Sequence, residues 1–190
     1  MSKFFYLKLA TTNIKKNAKT YVPYIITCIL TICMFYIIGS LANNPNLTKA
    51  AGTDSMRYVL YLGVWVCGIF AVIFLFYTNS FLMKRRKKEF GLYNILGMEK
   101  KHISRVVLCE TLIISVISLV LGLLVGILFD KLMLLILLSM FTVKIPLGFY
   151  ISSQSIIATL ILFSAIFVMI FINSVRQIHQ IGRASCRERV

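Results

Sequence analysis

Residues 84–98 (KRRKKEFGLYNILGM) bring charged and apolar side chains together outside the long apolar runs of the chain. The segment begins with a block of cations, which could bind anionic lipid headgroups or fix the sidedness of a membrane protein. Alone, such a block indicates topology and little more. Its members are Lys84, Arg85, Arg86, Lys87 and Lys88.

The residues that follow, 89–97, are apolar over much of their circumference if they form two helical turns. Glu89 would be favourable at the positive N-terminal end of such a helix, and Gly97 suits the left-handed position after its end. Two turns are not stable alone in water, so this 89–97 segment should dock on the membrane surface, another part of the chain or a cytoplasmic partner. Gly91 weakens the helix by about 1 kcal/mol relative to alanine, which would make sense where a partner's backbone comes near.

Catalytic and metal-binding patterns are missing from the sequence. His102 and His179 stand alone, and there is neither a set of serine, histidine and carboxylate nor a phosphate-binding glycine loop. The cysteines show no paired spacing and are interpreted as small hydrophobes rather than a disulfide framework. They are Cys28, Cys33, Cys67, Cys109 and Cys186. The sequence therefore predicts no enzyme, cofactor or metal site.

Two carboxylates lie in or beside an apolar run. Glu110 falls about one turn inside the cytoplasmic end of a predicted span, where an unpaired charge is costly. Two interpretations are open: Glu110 reaches the headgroups or pairs with a cation such as Arg105, or it is a buried link that couples the span to the basic loop, residues 84–105. Asp130 lies near the outer end of the same span, and we expect it to be solvated.

Membrane spans are the elements that position these residues. The chain has 190 residues, of which 59% are hydrophobic and 14% charged, whereas soluble domains are about 45–50% apolar and about 25% charged. Spans need roughly 20 apolar residues each. We predict an all-α integral membrane fold with four spans at 21–41, 58–83, 106–129 and 155–175, the third extended outward to residue 141.

The net charge of +15 is concentrated beside the apolar runs, so it favours topology and lipid contact over nucleic-acid binding. Residues 1–20 contain five lysines and no acidic residue, and we predict a cytoplasmic interfacial helix with Leu7 and Ile14 on its apolar side. Fourteen Lys and Arg residues would lie on the side of the N-terminus and the basic loop, and four on the other. The positive-inside rule then places both termini in the cytoplasm.

Small residues recur along one stripe of the third span, which predicts close packing against another helix. Thr111 begins the stripe, and its further members are Ser115, Ser118, Gly122 and Gly126.

The segment KRRKKEFGLYNILGM, preceded by YTNSF at 77–81, closely resembles the first cytoplasmic loop of FtsX-like permease domains in bacitracin-resistance-type (Bce-type) ABC transporters. NIKKNAKTYVPY at 13–24 resembles the start of their first span, and Glu110 with Gly122 and Gly126 fits their third. The resemblance implies a permease subunit that acts with cytoplasmic ATPase subunits and a sensor histidine kinase in resistance to peptide antibiotics. The 89–97 segment would be the coupling helix, with Glu89, Phe90, Gly91, Leu92, Tyr93, Leu96 and Gly97 as its partner-binding residues.

The chain departs from that family in having four spans and small outer loops, where full-length members have ten spans and a large extracellular domain. We therefore expect an N-terminal portion of a permease. Residues 182–190 (GRASCRERV) are polar and unpatterned; a native juxtamembrane tail is one interpretation, but we expect a read-through or otherwise non-native tail. The alternative function is a small non-transporting membrane adaptor whose basic loop binds anionic lipid or a signalling partner.

Overall fold

The protein is described from a computed structural model, which covers residues 3–44, 53–86, 89, 91, 100–140 and 152–187. Over these residues the chain is helical and contains no strand. The helices are α1 (Lys3–Lys16), α2 (Ala18–Ala42), α3 (Thr53–Arg85), α4 (Lys100–Met140) and α5 (Ser153–Arg187).

Four of these helices are long and apolar enough to cross a membrane, over Ala18–Ala42, Arg57–Arg85, His102–Ile136 and Ser153–Ile178. The predicted all-α fold with four spans is confirmed. Helix α4 runs without a break for 41 residues, about 60 Å at 1.5 Å per residue. Since Asp130 and Lys131 are compatible with a helix, the predicted outer extension is a direct continuation of the third span to Met140.

The predicted coupling helix lies largely outside the described residues. Within it, the structure describes Glu89 and Gly91, both in helical conformation. The other partner-binding residues predicted there, and the last two cations of the block, are outside the described part of the chain; these are Phe90, Leu92, Tyr93, Leu96, Gly97, Lys87 and Lys88.

One compact unit of the chain comprises Met1–Thr27, Phe74–Ile117 and Ala165–Val190. Its apolar cluster joins the end of α3, the start of α4 and α5 through Met83, Ile103, Val107 and Ile178. In the same unit, the buried amide of Asn79 donates a hydrogen bond of 3.0 Å to the hydroxyl of Ser174. This polar contact pairs two groups that would be costly to leave unsatisfied.

Helix α1 belongs to this unit and buries a face that was not anticipated. Tyr6, Ala10 and Asn13 are buried at spacings of four and three residues, and the phenol oxygen of Tyr6 lies 2.6 Å from Nδ1 of His102 on α4. Leu7, by contrast, is 53% exposed. The protein-facing side of α1 thus carries a tyrosine, an alanine and an asparagine, and its apolar Leu7 is left for other contacts.

The second compact unit comprises Cys28–Ile73 and Ser118–Ser164. Glycines of α4 lie directly against α2 there: a Cβ atom at Gly122 would come within 2.8 Å of Ile32, and one at Gly126 within 2.9 Å of the ring of Tyr36. Ser118, one turn before Gly122, is fully buried. Absence of side-chain atoms at these glycines is what allows the two helices to approach so closely.

The expectation that Asp130 is solvated was wrong. Its side chain belongs to the second unit and is only 3% exposed, and Oδ2 accepts a hydrogen bond of 3.0 Å from the hydroxyl of Ser40 on α2. A carboxylate near the end of an apolar run is therefore not necessarily in water. Ser40 supplies a donor within the protein that partly replaces the lost hydration.

Candidate functional site

Glu110 lies on the buried face of α4. Ile103, Val107, Glu110 and Ile114 follow one another at spacings of four, three and four residues, and all four are at most 3% exposed. Residues at this spacing share one side of a helix. The helical phase of α4 therefore carries the carboxylate of Glu110 into the packed interior of the first unit.

Arg86 approaches Glu110 from the end of α3. It is the first residue after the helix, and its N–H still donates to the carbonyl of Leu82 at 3.2 Å, so the helical path continues through it. Leu82 and Met83, four and three residues earlier, are buried on the same side, and Arg86 itself is 3% exposed. Lys84 and Arg85 are exposed, and the guanidinium of Arg85 lies 4.6 Å from the centre of the Phe81 ring.

Arg86 and Glu110 form a buried, bidentate ion pair. Nη1 of Arg86 donates to Oε2 of Glu110, and Nη2 donates to Oε1 at 3.0 Å. The carboxylate of Glu110 accepts two further hydrogen bonds. The amide of Asn13 on α1 donates to Oε1 at 3.1 Å, and the hydroxyl of Tyr21 on α2 donates to Oε2 at 2.9 Å. Such saturation is what makes a buried ion pair tolerable, since it offsets the desolvation of both charges.

Arg86 remains charged in this setting. Burial alone lowers the pKa of its guanidinium, but the carboxylate of Glu110 outweighs that effect, and the pKa is raised above its already high ordinary value. The guanidinium carbon also lies 5.3 Å from the centre of the Tyr21 ring, a cation–π arrangement. Arg86 thus contacts the aromatic ring of Tyr21 as well as the carboxylate of Glu110.

The interior beside the ion pair is lined by Tyr24, Asn79, Thr111 and Ser174 as well as by the pair itself. The enclosed space there has room for no more than about one water molecule. This cluster of side chains is suited to holding helices together.

Glu89 extends the polar network from Arg86 into the 89–97 segment. Its Oε2 accepts a hydrogen bond of 3.2 Å from Nε of Arg86, and its Oε1 accepts one of 2.7 Å from the amide of Asn17. Its side chain is 35% exposed, compared with 3% for Arg86. Both carboxylate oxygens of Glu89 are therefore engaged by this chain itself.

The structure gives several predicted residues a more definite position. Glu110 is buried and its cation is Arg86, while Arg105 lies 5.9 Å from the ring of Tyr6. Arg86 had been grouped with the topology charges, yet its charge is enclosed in the protein. Of the predicted packing stripe, Ser115 donates to the carbonyl of Leu112 on its own helix.

Asn13, Asn17 and Tyr21 contribute to the network but were not predicted from the sequence. A signal was present: Tyr6, Ala10, Asn13 and Asn17 recur at spacings of four, three and four, on the side of the helix opposite Lys8, Lys15 and Lys19. A polar face opposite these lysines is compatible with contact with protein.

Comparison with known proteins agrees with the resemblance to FtsX-like permease domains. Residues 61–182 match the family model described as FtsX-like permease C-terminal. An uncharacterized ABC transporter permease, YvcS, of Bacillus subtilis is 29% identical over 175 residues, which cover 91% of this chain and 27% of that protein. The bacitracin export permease protein BceB of B. subtilis is 31% identical over 169 residues, covering 87% of this chain and 26% of BceB.

The protein named BceB in Halalkalibacterium halodurans is 27% identical over 168 residues, covering 86% of this chain and 25% of that protein. The chain thus spans about a quarter of the length of these curated relatives. The matched family region includes α4 with Glu110 and most of α3 and α5. With four helices long enough to cross a membrane and more than half of its residues within the family model, the chain is a multi-pass membrane protein that belongs to the FtsX-like permease family.

Proposed function

We propose that this chain is part of an ABC transporter permease for resistance to antimicrobial peptides or their sensing. In this role the 89–97 segment receives the movement of cytoplasmic ATPase subunits and transmits it to the membrane helices, and ATP is hydrolysed by those subunits. Family membership and the names of the relatives, two of them bacitracin export permeases, support the general role. The observation that carries the coupling step is that Glu89 of the segment is bound to Arg86, which is itself paired with Glu110 in the interior.

The proposal includes an orientation and a set of partners. The N-terminus, the basic loop and the C-terminus lie in the cytoplasm, where the ATPase subunits are, because the Lys and Arg residues concentrate on that side. Anionic lipid contacts the exposed lysines of α1, among them Lys8, Lys15 and Lys16. A sensor histidine kinase is a further partner of the assembled transporter.

Co-purification with the ATPase subunit tests the proposal. A Phe90→Ala, Leu92→Ala, Tyr93→Ala triple variant should insert normally and lose the ATPase, since it lacks the apolar side chains assigned to the interface. Unchanged co-purification would refute the coupling role of the 89–97 segment.

A charge variant separates this role from that of a lipid-binding or signalling adaptor. Lys84 and Arg85 are exposed, whereas Arg86 is enclosed by Glu110. Lys84→Gln with Arg85→Gln removes only exposed charge, so ATPase binding should persist in the permease. An adaptor that relies on its basic loop should instead lose its partner, and its binding should fall steeply with added salt.

Gly91 provides a finer probe of the same interface. Among the residues that the structure describes, no atom lies within 4 Å of a Cβ placed at Gly91. Gly91→Ala is therefore compatible with the described residues and should favour a helix by about 1 kcal/mol. Weaker ATPase binding by this variant would indicate that the partner's backbone packs against Gly91.

A further inference from the structure

Glu89 is connected to two places in the chain that are far apart in sequence. One carboxylate oxygen is held by Arg86, three residues earlier, and the other by Asn17, 72 residues earlier. The distance from the amide nitrogen of Asn17 to Oε1 of Glu89 is 2.7 Å, short for a bond between an amide and a carboxylate. Glu89 therefore joins the start of the 89–97 segment to the N-terminal part of the chain.

Asn17 is the single residue between α1 and α2. Its carbonyl accepts the first hydrogen bonds of α2, from Thr20 at 2.8 Å and Tyr21 at 3.1 Å, and its own N–H donates to the carbonyl of Asn13 at 3.0 Å. This is the backbone role of an N-cap residue, in which asparagine is favoured. Its side chain is used to bind Glu89, so a displacement of Glu89 acts directly on the junction of the two helices.

A second connection runs to the same junction through the interior. Arg86 binds Glu110, and Glu110 also accepts hydrogen bonds from Asn13 on α1 and Tyr21 on α2. The two donors flank Asn17 by four residues on either side. The junction is thereby held by Glu89 at its centre and by Glu110 on both flanks.

The two connections differ in strength. Arg86 and Glu110 are each 3% exposed, and separating a buried ion pair leaves an uncompensated charge in an apolar setting. The side chain of Glu89 is 35% exposed, and water can replace its partners at a much smaller cost. The contact between Glu89 and Asn17 is therefore the part of the network that opens or tightens when a partner acts on the segment.

We propose that Asn17 is a positioning residue that links the 89–97 segment to the α1–α2 junction, so that docking of an ATPase subunit on the segment also changes the order of α1. This inference rests on the proposed function. It adds the N-terminal helix as a second element that responds to the ATPase. The buried pair of Arg86 and Glu110 keeps the segment in register while the Asn17 contact changes.

Hydrogen exchange of the full chain in lipid nanodiscs, with and without its ATPase subunit and a non-hydrolysable ATP analogue, tests the inference. Binding should slow amide exchange over residues 10–21 in the wild type. Asn17→Asp keeps a good N-cap residue but faces Glu89 with a second carboxylate. This variant should still co-purify with the ATPase, because Asn17 is not among the residues assigned to its interface, and should lose the slowed exchange.

Two further variants serve as a rescue and as a control. Asn17→Asp combined with Glu89→Gln exchanges donor and acceptor, and, compared with the wild type at equal occupancy by the ATPase, should restore the slowed exchange. Thr12→Ala shortens an exposed side chain whose hydroxyl donates to the carbonyl of Lys8 within α1, and should respond like the wild type.

The outcomes distinguish this inference from the proposed function. A wild type that binds the ATPase without any change over residues 10–21 would overturn the link alone, as would an Asn17→Asp variant that responds fully. A wild type that fails to bind the ATPase at all would overturn the proposed function, and the link with it.

Discussion

Four hydrogen bonds from three residues are directed at the buried carboxylate of Glu110. Arg86 supplies two of them together with a full positive charge, and Asn13 and Tyr21 supply the others. A carboxylate accepts about four such bonds in total, so its capacity is filled. The stability of this site is nevertheless sensitive to mutation of Arg86, since removal of its positive charge leaves the carboxylate of Glu110 enclosed without a cation.

Arg86→Met should lower the free energy of unfolding by about 3–5 kcal/mol, because Glu110 is left without its cation. Arg86→Met with Glu110→Gln should lose less than the sum of the single variants, since no buried charge remains and the glutamine oxygen still accepts a hydrogen bond. Titration with sodium dodecyl sulfate in mixed micelles measures each corner of this double-mutant cycle. The exposed neighbour offers the control: Arg85→Met should change stability by less than about 0.5 kcal/mol. Additive losses would contradict a direct pairing.

At this scale the sequence identified Glu110 but not its partner. A carboxylate within an apolar run is visible without a structure, whereas five successive cations are equivalent until the helical phase of α3 is known. That phase turns Arg85 outward and Arg86 inward. Asn13 and Asn17 were not predicted, because the lysines of residues 1–20 favour contact with lipid headgroups over contact with protein.

Among the helices, α2 and α4 make the closest approach that the glycines reveal. A methyl group at Gly122 would meet Cβ of Ile32 at 2.8 Å and the carbonyl oxygen of Ile29 at 3.2 Å, and both atoms are fixed by the helix backbone. The small-residue spacing in the sequence predicted such a surface on α4. It could not predict the partner helix, because all four spans offer similarly apolar faces.

Gly122→Ala should lower the melting temperature in detergent, because overpacking costs about 1–3 kcal/mol. This cost exceeds the stability gained from the higher helix propensity of alanine. Gly68→Ala is the matched control on α3. A Cβ there would meet Phe35 at 3.5 Å, an ordinary contact, so the variant should keep the gain of about 1 kcal/mol in helix propensity. If both variants shifted the melting temperature equally, the close approach of α2 and α4 would be refuted.

For the whole molecule, the number of spans was predictable because bilayer thickness imposes a length on any apolar helix. The ends of the helices were less predictable. Helix α3 begins at Thr53 and α5 continues to Arg187, well past the apolar runs, since polar residues extend a helix readily once it has formed. Asp130 was placed wrongly because its donor, Ser40, is 90 residues away in sequence.

Cysteine labelling tests the orientation of the whole chain. In a background with all native cysteines replaced by alanine, Lys87→Cys should resist an impermeant reagent added to intact cells and react after permeabilisation. Ser55→Cys, at an exposed position near the start of α3, should react from outside. Labelling of Lys87→Cys from outside would show that the predicted orientation is wrong.

The ion pair between Arg86 and Glu110 also restricts how this protein can change over generations. Loss of either charge alone leaves the other enclosed, which costs about 3–5 kcal/mol, a large part of the stability of a typical domain. A lineage can therefore abandon the pair only through nearly simultaneous changes at both positions, 24 residues apart in the chain. Residues 86 and 110 are therefore expected to change together, whereas the exposed charges of Lys84 and Arg85 can be carried by either lysine or arginine.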